Sequence, residues 1–277
     1  MTIAALIVTH QSEPWLEATL SSVLAQTQIP DRIVLLDDNS TDRTLQIAEA
    51  VVDSRLEILH AATASADRTT RIAANFRQGL NACRDCEAVI LGDHDDIWHP
   101  RRIEHQVSLL REHSAYMVAS DGRLIDGAGE LINGSLRAAF PVPQAWWTAV
   151  PSARMRMALR WSIATGGASA VRPDALADVA IPDSWLHDRW WSMVATAAER
   201  MVLDPAQMID YRVTTSQQVG LDRGLQDAGH GRRLTKAVAS SFSTVKRIRA
   251  LRTGLPPFAT KETVAQLHGF RLLRNLR

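Results

Sequence analysis

The sequence predicts an α/β protein built on a mostly parallel central sheet flanked by helices. Through the first hundred residues, short apolar β-branched runs alternate with longer stretches of helical periodicity. That order produces parallel strands with helices on both faces. Thr9, the pair Asp37-Asp38 and the acidic run at 93–96 each fall at the carboxyl end of a predicted strand, where open sheets of this kind bind ligands. With 46% hydrophobic and 22% charged residues, the composition is that of an ordinary globular protein.

Residues 3–8 read as the first strand, and 14–27 as an amphipathic helix with Trp15, Leu16, Leu20, Val23 and Leu24 on one face. A second strand spans 32–38 and breaks at Asn39-Ser40-Thr41-Asp42, where Ser40 or Thr41 can cap a helix at 44–52. A third strand at 56–60, a helix at 70–82 and a fourth strand at 87–93 complete the alternation. The second half is less regular. A helix follows Pro100, and a strand lies at 115–126. Residues 127–150, with Gly127, Gly129, Pro141, Pro143, Trp146 and Trp147, predict a loop-rich insertion of the kind that lines acceptor sites. Residues 165–176 read as strand or turn, 184–200 as helix, 200–213 as a closing hairpin, and the remainder as helical and basic.

Several function classes fall away. There is no G-x-G-x-x-G after the first strand and no G-x-x-x-x-G-K-[ST] anywhere, so an ordinary dinucleotide site or P-loop is not expected. No run approaches the roughly 18 apolar residues of a membrane span. The start MTIAALIVTHQSEP lacks a basic n-region and reads as a first strand rather than a signal peptide. Cys83 and Cys86 form a lone C-x-x-C, half of a four-thiolate zinc site and not at a helix N-terminus. The expected compartment is the cytoplasm.

The net charge of +1 conceals a division: residues 230–277 carry eleven Lys or Arg against Glu262 alone. Such segregation points to an acidic partner. Within that tail, Val238, Phe242, Val245 and Ile248 recur at helical spacing beside Lys246, Arg247 and Arg249. The pattern suits the inner face of an anionic membrane, and equally a helical pair packed on the catalytic domain or on a dimer partner. It offers little aromatic interleaving for nucleic acid.

The densest chemistry is LGDHDDIWHP, where Asp93, His94, Asp95 and Asp96 follow an apolar run. Carboxylates so close resist joint ionisation. A divalent cation sharing oxygen ligands with substrate phosphates would offset that cost. The plainer reading is a polar turn whose acids cap the helix after Pro100.

From Ile3 to about Tyr211 the chain resembles the family 2 inverting glycosyltransferases of the GT-A, Rossmann-like fold. The carriers are VTHQSEPWLEATLSSVLAQT, IVLLDDNSTDRT, RIAANFRQGL, LGDHDDIW and LHDRWW, in family order. DHDDIW and HDRWW look most like the bacterial branch containing rhamnosyltransferases, which use dTDP-rhamnose. The resemblance implies that Asp38 accepts a hydrogen bond from a uracil or thymine imide, that Thr9 lines the base pocket, and that Arg71 meets the base or diphosphate. Asp93 would lie near the ribose and metal, Asp95 would coordinate Mg²⁺ or Mn²⁺, and Asp96 would support these ligands or cap the helix. Asp188 would be the base that deprotonates the acceptor hydroxyl, with His187 beside it and Trp190 and Trp191 as parts of a sugar platform. One departure stands out. Relatives often carry Tyr-Arg-x-His after the closing hairpin, whereas this chain reads Tyr211-Arg212-Val213-Thr214, leaving His230 or Arg232 as substitutes.

The expected organisation is a GT-A domain at 1–215, with a nucleotide-binding half at 1–100 and an acceptor-binding half at 101–215, followed by a basic helical extension at 216–277. The expected activity is metal-dependent, inverting transfer of a sugar from a dTDP or UDP donor to a glycan or lipid-linked acceptor in cell-surface polysaccharide synthesis. A sugar nucleotidylyltransferase and a noncatalytic nucleotide-sugar binder are the alternatives. The first usually needs a glycine-rich basic loop after the first strand, which THQSEPW lacks.

Overall fold

The structure is a computed structural model that describes residues 1–214, apart from 64, 66 and 184. The basic tail, with His230 and Arg232, lies outside the described residues. Strands β1 (Ile3–Thr9), β2 (Arg32–Asp37), β3 (Leu56–His60) and β4 (Ala88–Asp93) alternate with helices α1 (Leu16–Leu24), α2 (Thr44–Val51) and α3 (Arg68–Ala82). After β5 (Ile97–Trp98) come α4 (Arg102–Glu112), β6 (Met117–Ile125), β7 (Leu131–Ser135), α5 (Leu136–Ala139) and α6 (Pro151–Arg160). The described fold closes with β8 (Ser169–Val171), α7 (Pro173–Leu176), α8 (His187–Ala197) and β9 (Met201–Arg212).

One sheet carries the order β3-β2-β1-β4-β8-β6-β9-β5, with β7 paired to β6. Its first four strands are all parallel, as the alternating pattern predicts. The remaining strands are mixed: β8 is antiparallel to β4 and β6, while β9 runs parallel to β6. The chain builds outward from β1 to β3 and then crosses back to β4. Its direction of travel therefore reverses between β1 and β4, the crevice where such sheets hold ligands. Register places the site: Thr9 pairs with Asp37, Val8 with Asp93, and Asp37 with His60.

Alternation along β1 divides the core. Ala4 and Leu6 join Phe76, Leu80, Trp190 and Trp191 on one face, whereas Ile3, Ala5 and Ile7 join Leu16, Leu20, Trp98 and Ile103 on the other. Helices thus cover both faces, and burial of each apolar stripe fixes the strand ends relative to α3 and α8.

Four local expectations are corrected. Residues 200–213 form one continuous strand rather than a hairpin. Pro205 sits in a bulge of that strand, where the ladder to β6 passes from Ala119–Leu203 directly to Asp121–Gln207. Neither Ser40 nor Thr41 caps α2; its N-cap position, Arg43, makes no side-chain cap bond, and Asp42 just before it accepts from the Thr44 amide at 3.0 Å. The insertion at 127–150 contains β7, α5 and a 3-10 turn at Gln144–Thr148. Helix α3 starts two residues early, capped by Asp67, whose Oδ1 accepts from the Thr70 amide at 2.7 Å. Cys83 and Cys86 are buried free thiols. Burial, then Cys86, pushes the Cys83 thiol up to about 12, which suits packing rather than reactivity.

Candidate active site

A cleft of about 500 Å³ opens over the carboxyl ends of β1 and β4. Thr9, Asp38, Asp93, Asp95, His187 and Asp188 all line it. The sequence-predicted residues therefore converge, although they come from both halves of the chain.

At one end the two acids after β2 divide their tasks. Asp37 serves the turn: its Oδ1 accepts from the Thr9 hydroxyl at 3.2 Å and its Oδ2 from the Ser40 amide at 3.0 Å. That leaves Asp38 facing the cleft. Arg71 donates through Nε to Asp38 Oδ2 at 2.8 Å, with the Asp38 side chain 8% exposed and Arg71 26% exposed. Arg71 is thus held against Asp38 by an ion pair.

The acidic run occupies the tight connection between β4 and β5. Asp93 and Asp95 line the cleft, while Asp96 is fully buried. Burial, then Asp95, then Asp188, pushes Asp93 up to about 7. Burial, then Asp95 and Asp93, raises Asp96 well above the usual carboxylate range. Gly167 abuts both: a Cβ there would stand 2.7 Å from Asp93 Oδ2 and 2.8 Å from Asp96 Oδ2. Asp96 does not cap α4, because β5 stands between them and its Oδ1 accepts the Arg212 amide at 3.0 Å.

Two arginines not singled out as parts of this cluster hold it in place. Arg212 donates through Nε to the Asp95 carbonyl at 2.8 Å and through Nη1 to the carbonyls of Asp126 and Gly127. It closes the loop from the end of β9. Arg102 lies fully buried beneath the run, 4.1 Å over the Trp98 ring, and donates to the Leu91 carbonyl at 2.7 Å. Burial holds its guanidinium down to about 9 even though Asp96 and Asp93 favour its charged form. In return it favours their anions.

Asp188 stands opposite, in the first turn of α8. Its Oδ2 accepts from the Gly166 amide at 3.0 Å and its Oδ1 from the Arg189 amide at 2.6 Å. Burial raises its carboxyl above the usual range, against the pull of these donors. His187 stacks on Phe76 with centroids 3.7 Å apart, and burial pushes its imidazole down to about 3. Trp190 and Trp191 are fully buried. They pack the core and supply no sugar platform, because α8 is covered on every side and only its first turn reaches the cleft.

The donor set suits a divalent cation that also binds phosphate. Among the described residues no group of three or more His, Cys, Asp or Glu is arranged to hold a metal. Two cleft-lining carboxylates leave the other positions of a hard cation to water and substrate oxygens, as Mg²⁺ sites commonly do.

The family model described as Glycosyl transferase family 2 matches residues 4–179, a span containing the Asp38 pair, the acidic run and both glycines. The chain belongs to this family. Its relatives include the Escherichia coli UDP-Glc:alpha-D-GlcNAc-diphosphoundecaprenol beta-1,3-glucosyltransferase WfgD, 26% identical over 145 residues, 51% of either chain. The dTDP-rhamnosyl transferase RfbG of Shigella flexneri is 26% identical over 117 residues, 42% of this chain and 40% of that one. Matches to the curated relatives thus span about half of their length or less. Among solved structures, Staphylococcus aureus TarS 1-349 in complex with UDP-GlcNAc superposes with a TM-score of 0.60 at 16% identity, covering 96% of this chain and 69% of that one. Glucosyl-3-phosphoglycerate synthase from Mycobacterium tuberculosis, in complex with Mn²⁺, UDP and glucosyl-3-phosphoglycerate, gives 0.53 at 16% identity, covering 92% and 81%. These likenesses establish the GT-A fold.

Proposed function

We propose that the enzyme is a divalent-metal-dependent, inverting glycosyltransferase that moves a sugar from a UDP or dTDP donor to a hydroxyl of a glycan or lipid-linked acceptor. The observation that carries this reading is the Gly166-Gly167 pair. The first glycine's amide binds Asp188, and the second abuts Asp93 and Asp96. A candidate base and a candidate diphosphate site are therefore one dipeptide apart across a single cleft.

In this reading Asp38 and Arg71 receive the base, with Thr9 behind them. Asp95 and Asp93 would hold Mg²⁺ or Mn²⁺, whose charge neutralises the departing diphosphate. The acceptor oxygen attacks the anomeric carbon opposite the leaving group. As that bond forms, the carbon–oxygen bond to the diphosphate breaks, with its electron pair passing to the diphosphate oxygen. Asp188 takes the hydroxyl proton, and burial, which raises its carboxyl, makes it a stronger base. WfgD and RfbG, whose names specify UDP-Glc and dTDP-rhamnose chemistry, support either base. WfgD's diphosphoundecaprenol acceptor supports a lipid carrier and hence polysaccharide synthesis. No helix among the described residues is long and apolar enough to cross a membrane; a basic tail held against anionic lipid is part of the proposal.

Calorimetric titration of UDP and dTDP, each with Mn²⁺ and with EDTA, tests it. Binding of one nucleotide that strengthens with the cation is expected. Equal affinity in EDTA would remove the metal from the proposal, and no binding of either would remove the donor class.

A further inference from the structure

Two polar side chains in the cleft have no assigned task in the steps above. Asn75 on α3 is fully buried and His187 at the start of α8 is 4% exposed, and both line the cleft. Among the described residues, neither the amide oxygen and nitrogen of Asn75 nor either ring nitrogen of His187 has a hydrogen-bond partner. Buried polar atoms are paired in the great majority of cases, and an unpaired one carries its full desolvation penalty. Four such atoms lining one cleft call for a ligand that completes them.

Their position says which part of a ligand that is. Asn75 follows Arg71 by four residues on α3, about one turn or roughly 5.4 Å along the same face. Arg71 is bound to Asp38 at the base end. His187 immediately precedes Asp188, and its ring lies flat on Phe76, the neighbour of Asn75. Both residues line the same cleft as Asp38 and Asp188, the cleft that a transferred sugar would enter. Gly166 makes room for it, since a Cβ there would stand 2.5 Å from His187 Nε2. Burial keeps the imidazole neutral, pushed down to about 3, so it presents one donor and one acceptor. Asn75 presents both as well. Sugar hydroxyls also donate and accept, whereas a diphosphate only accepts. The uncharged, two-way set matches hydroxyls.

We propose that Asn75, together with His187, reads the hydroxyls of the transferred sugar and sets which nucleotide sugar the enzyme accepts. This rests on the donor-binding reading above and adds the residue that discriminates within it. A site built to hydrogen-bond a hydroxyl rejects a sugar that lacks or misplaces it far more strongly than an apolar pocket does.

The test is Asn75→Leu, a substitution of similar size. Because Asn75 has no hydrogen-bond partner among the described residues, leucine breaks no bond seen there, and the thermal unfolding midpoint is expected to hold or rise. The probes are UDP and dTDP alone, then UDP-glucose, UDP-galactose, UDP-N-acetylglucosamine, dTDP-glucose and dTDP-rhamnose, each with Mn²⁺ in the calorimeter. Affinity for the bare nucleotide should stay within about twofold of wild type, while the preferred nucleotide sugar weakens at least about tenfold and the ranking of sugars flattens. Asn75→Ala should show the same split and serves should the leucine variant not fold. Variants that keep the wild-type ranking, or that lose bare nucleotide and nucleotide sugar by one common factor, overturn the proposal. A wild-type protein that binds no nucleotide at all defeats the underlying reading as well, and so separates the two failures.

Discussion

Replacing Asp188 with Asn separates the base from everything else the cleft does. The carboxamide keeps the shape of the carboxylate but cannot take a proton. Loss of a general base costs about 10²–10⁴ in rate, or about 3–6 kcal/mol of barrier. The structure also sets a stability cost. Asp188 accepts two backbone amides, from Gly166 at 3.0 Å and Arg189 at 2.6 Å. An asparagine oxygen can serve one of them, leaving its NH₂ against the other donor. One charge-assisted bond is worth about 1.5–3 kcal/mol, and relief of the buried charge returns part of it. A fall of about 3–10 °C in the unfolding midpoint follows for a domain of this size. Because burial raises the Asp188 carboxyl, its contribution to stability is present below the unfolded carboxylate range and is lost as pH rises through the folded value. Activity runs the other way, since only the anion accepts a proton. In wild type, kcat should fall with slope one as pH drops through a value above 3.8, and that limb should vanish in Asp188→Asn. The assay is nucleoside diphosphate release with acceptor present, with nucleotide binding measured separately. Wild-type turnover in the variant, or equal loss of binding and turnover, would refute the assignment.

Asp95→Ala should abolish the part of nucleotide affinity that depends on Mn²⁺ and leave the EDTA value unchanged; calorimetry in both buffers reads it. Gly166→Ala would place a Cβ 2.5 Å from His187 Nε2, whose ring is held against Phe76. Overpacking of this kind costs about 1–3 kcal/mol, visible as a lowered urea midpoint. Arg212→Lys should lower the unfolding midpoint and weaken Mn²⁺-dependent binding, because one ammonium cannot reach the Asp95 carbonyl and the 126–127 carbonyls together. The full chain should sediment with anionic but not neutral vesicles at low salt, and a chain ending at Gly229 should not; two chains that both stay in the supernatant would remove the membrane role.

Local pattern made half of this site readable. Apolar runs in β1, β2 and β4 end where polar residues begin, so Thr9, Asp38 and Asp93 could be placed on one sheet edge before any coordinates. Asp188 was legible only through the resemblance, since an acid in a helix's first turn is unremarkable by itself. What escaped depends on distant partners. Asn75 sits within an apolar helical stripe and reads as an ordinary helix residue until both its amide atoms are seen to lack partners among the described residues. Arg212 matters through contacts to residues 86 and 117 positions away. The tryptophans after Asp188 looked like a sugar surface because sequence gives their identity but not that α8 is buried on all sides. The expected hairpin at 200–213 is one strand, because its pairing with β6 continues past a bulge at Pro205.

The bond from the Arg212 amide to Asp96 joins residues 116 apart, and β5 pairs with β9, with Ile97 opposite Asp210. This bears on the birth of the protein. At about 5–20 residues per second, a ribosome that has made the acidic run needs roughly another 6–23 s to deliver the strand that closes it. During that interval the nascent chain carries its carboxylates without their clamp, and a parallel sheet missing its later strands. The first hundred residues should thus be a poor nucleotide binder when expressed alone and a natural client for chaperones while the remainder is translated. Metal capture would then mark the end of folding rather than its beginning.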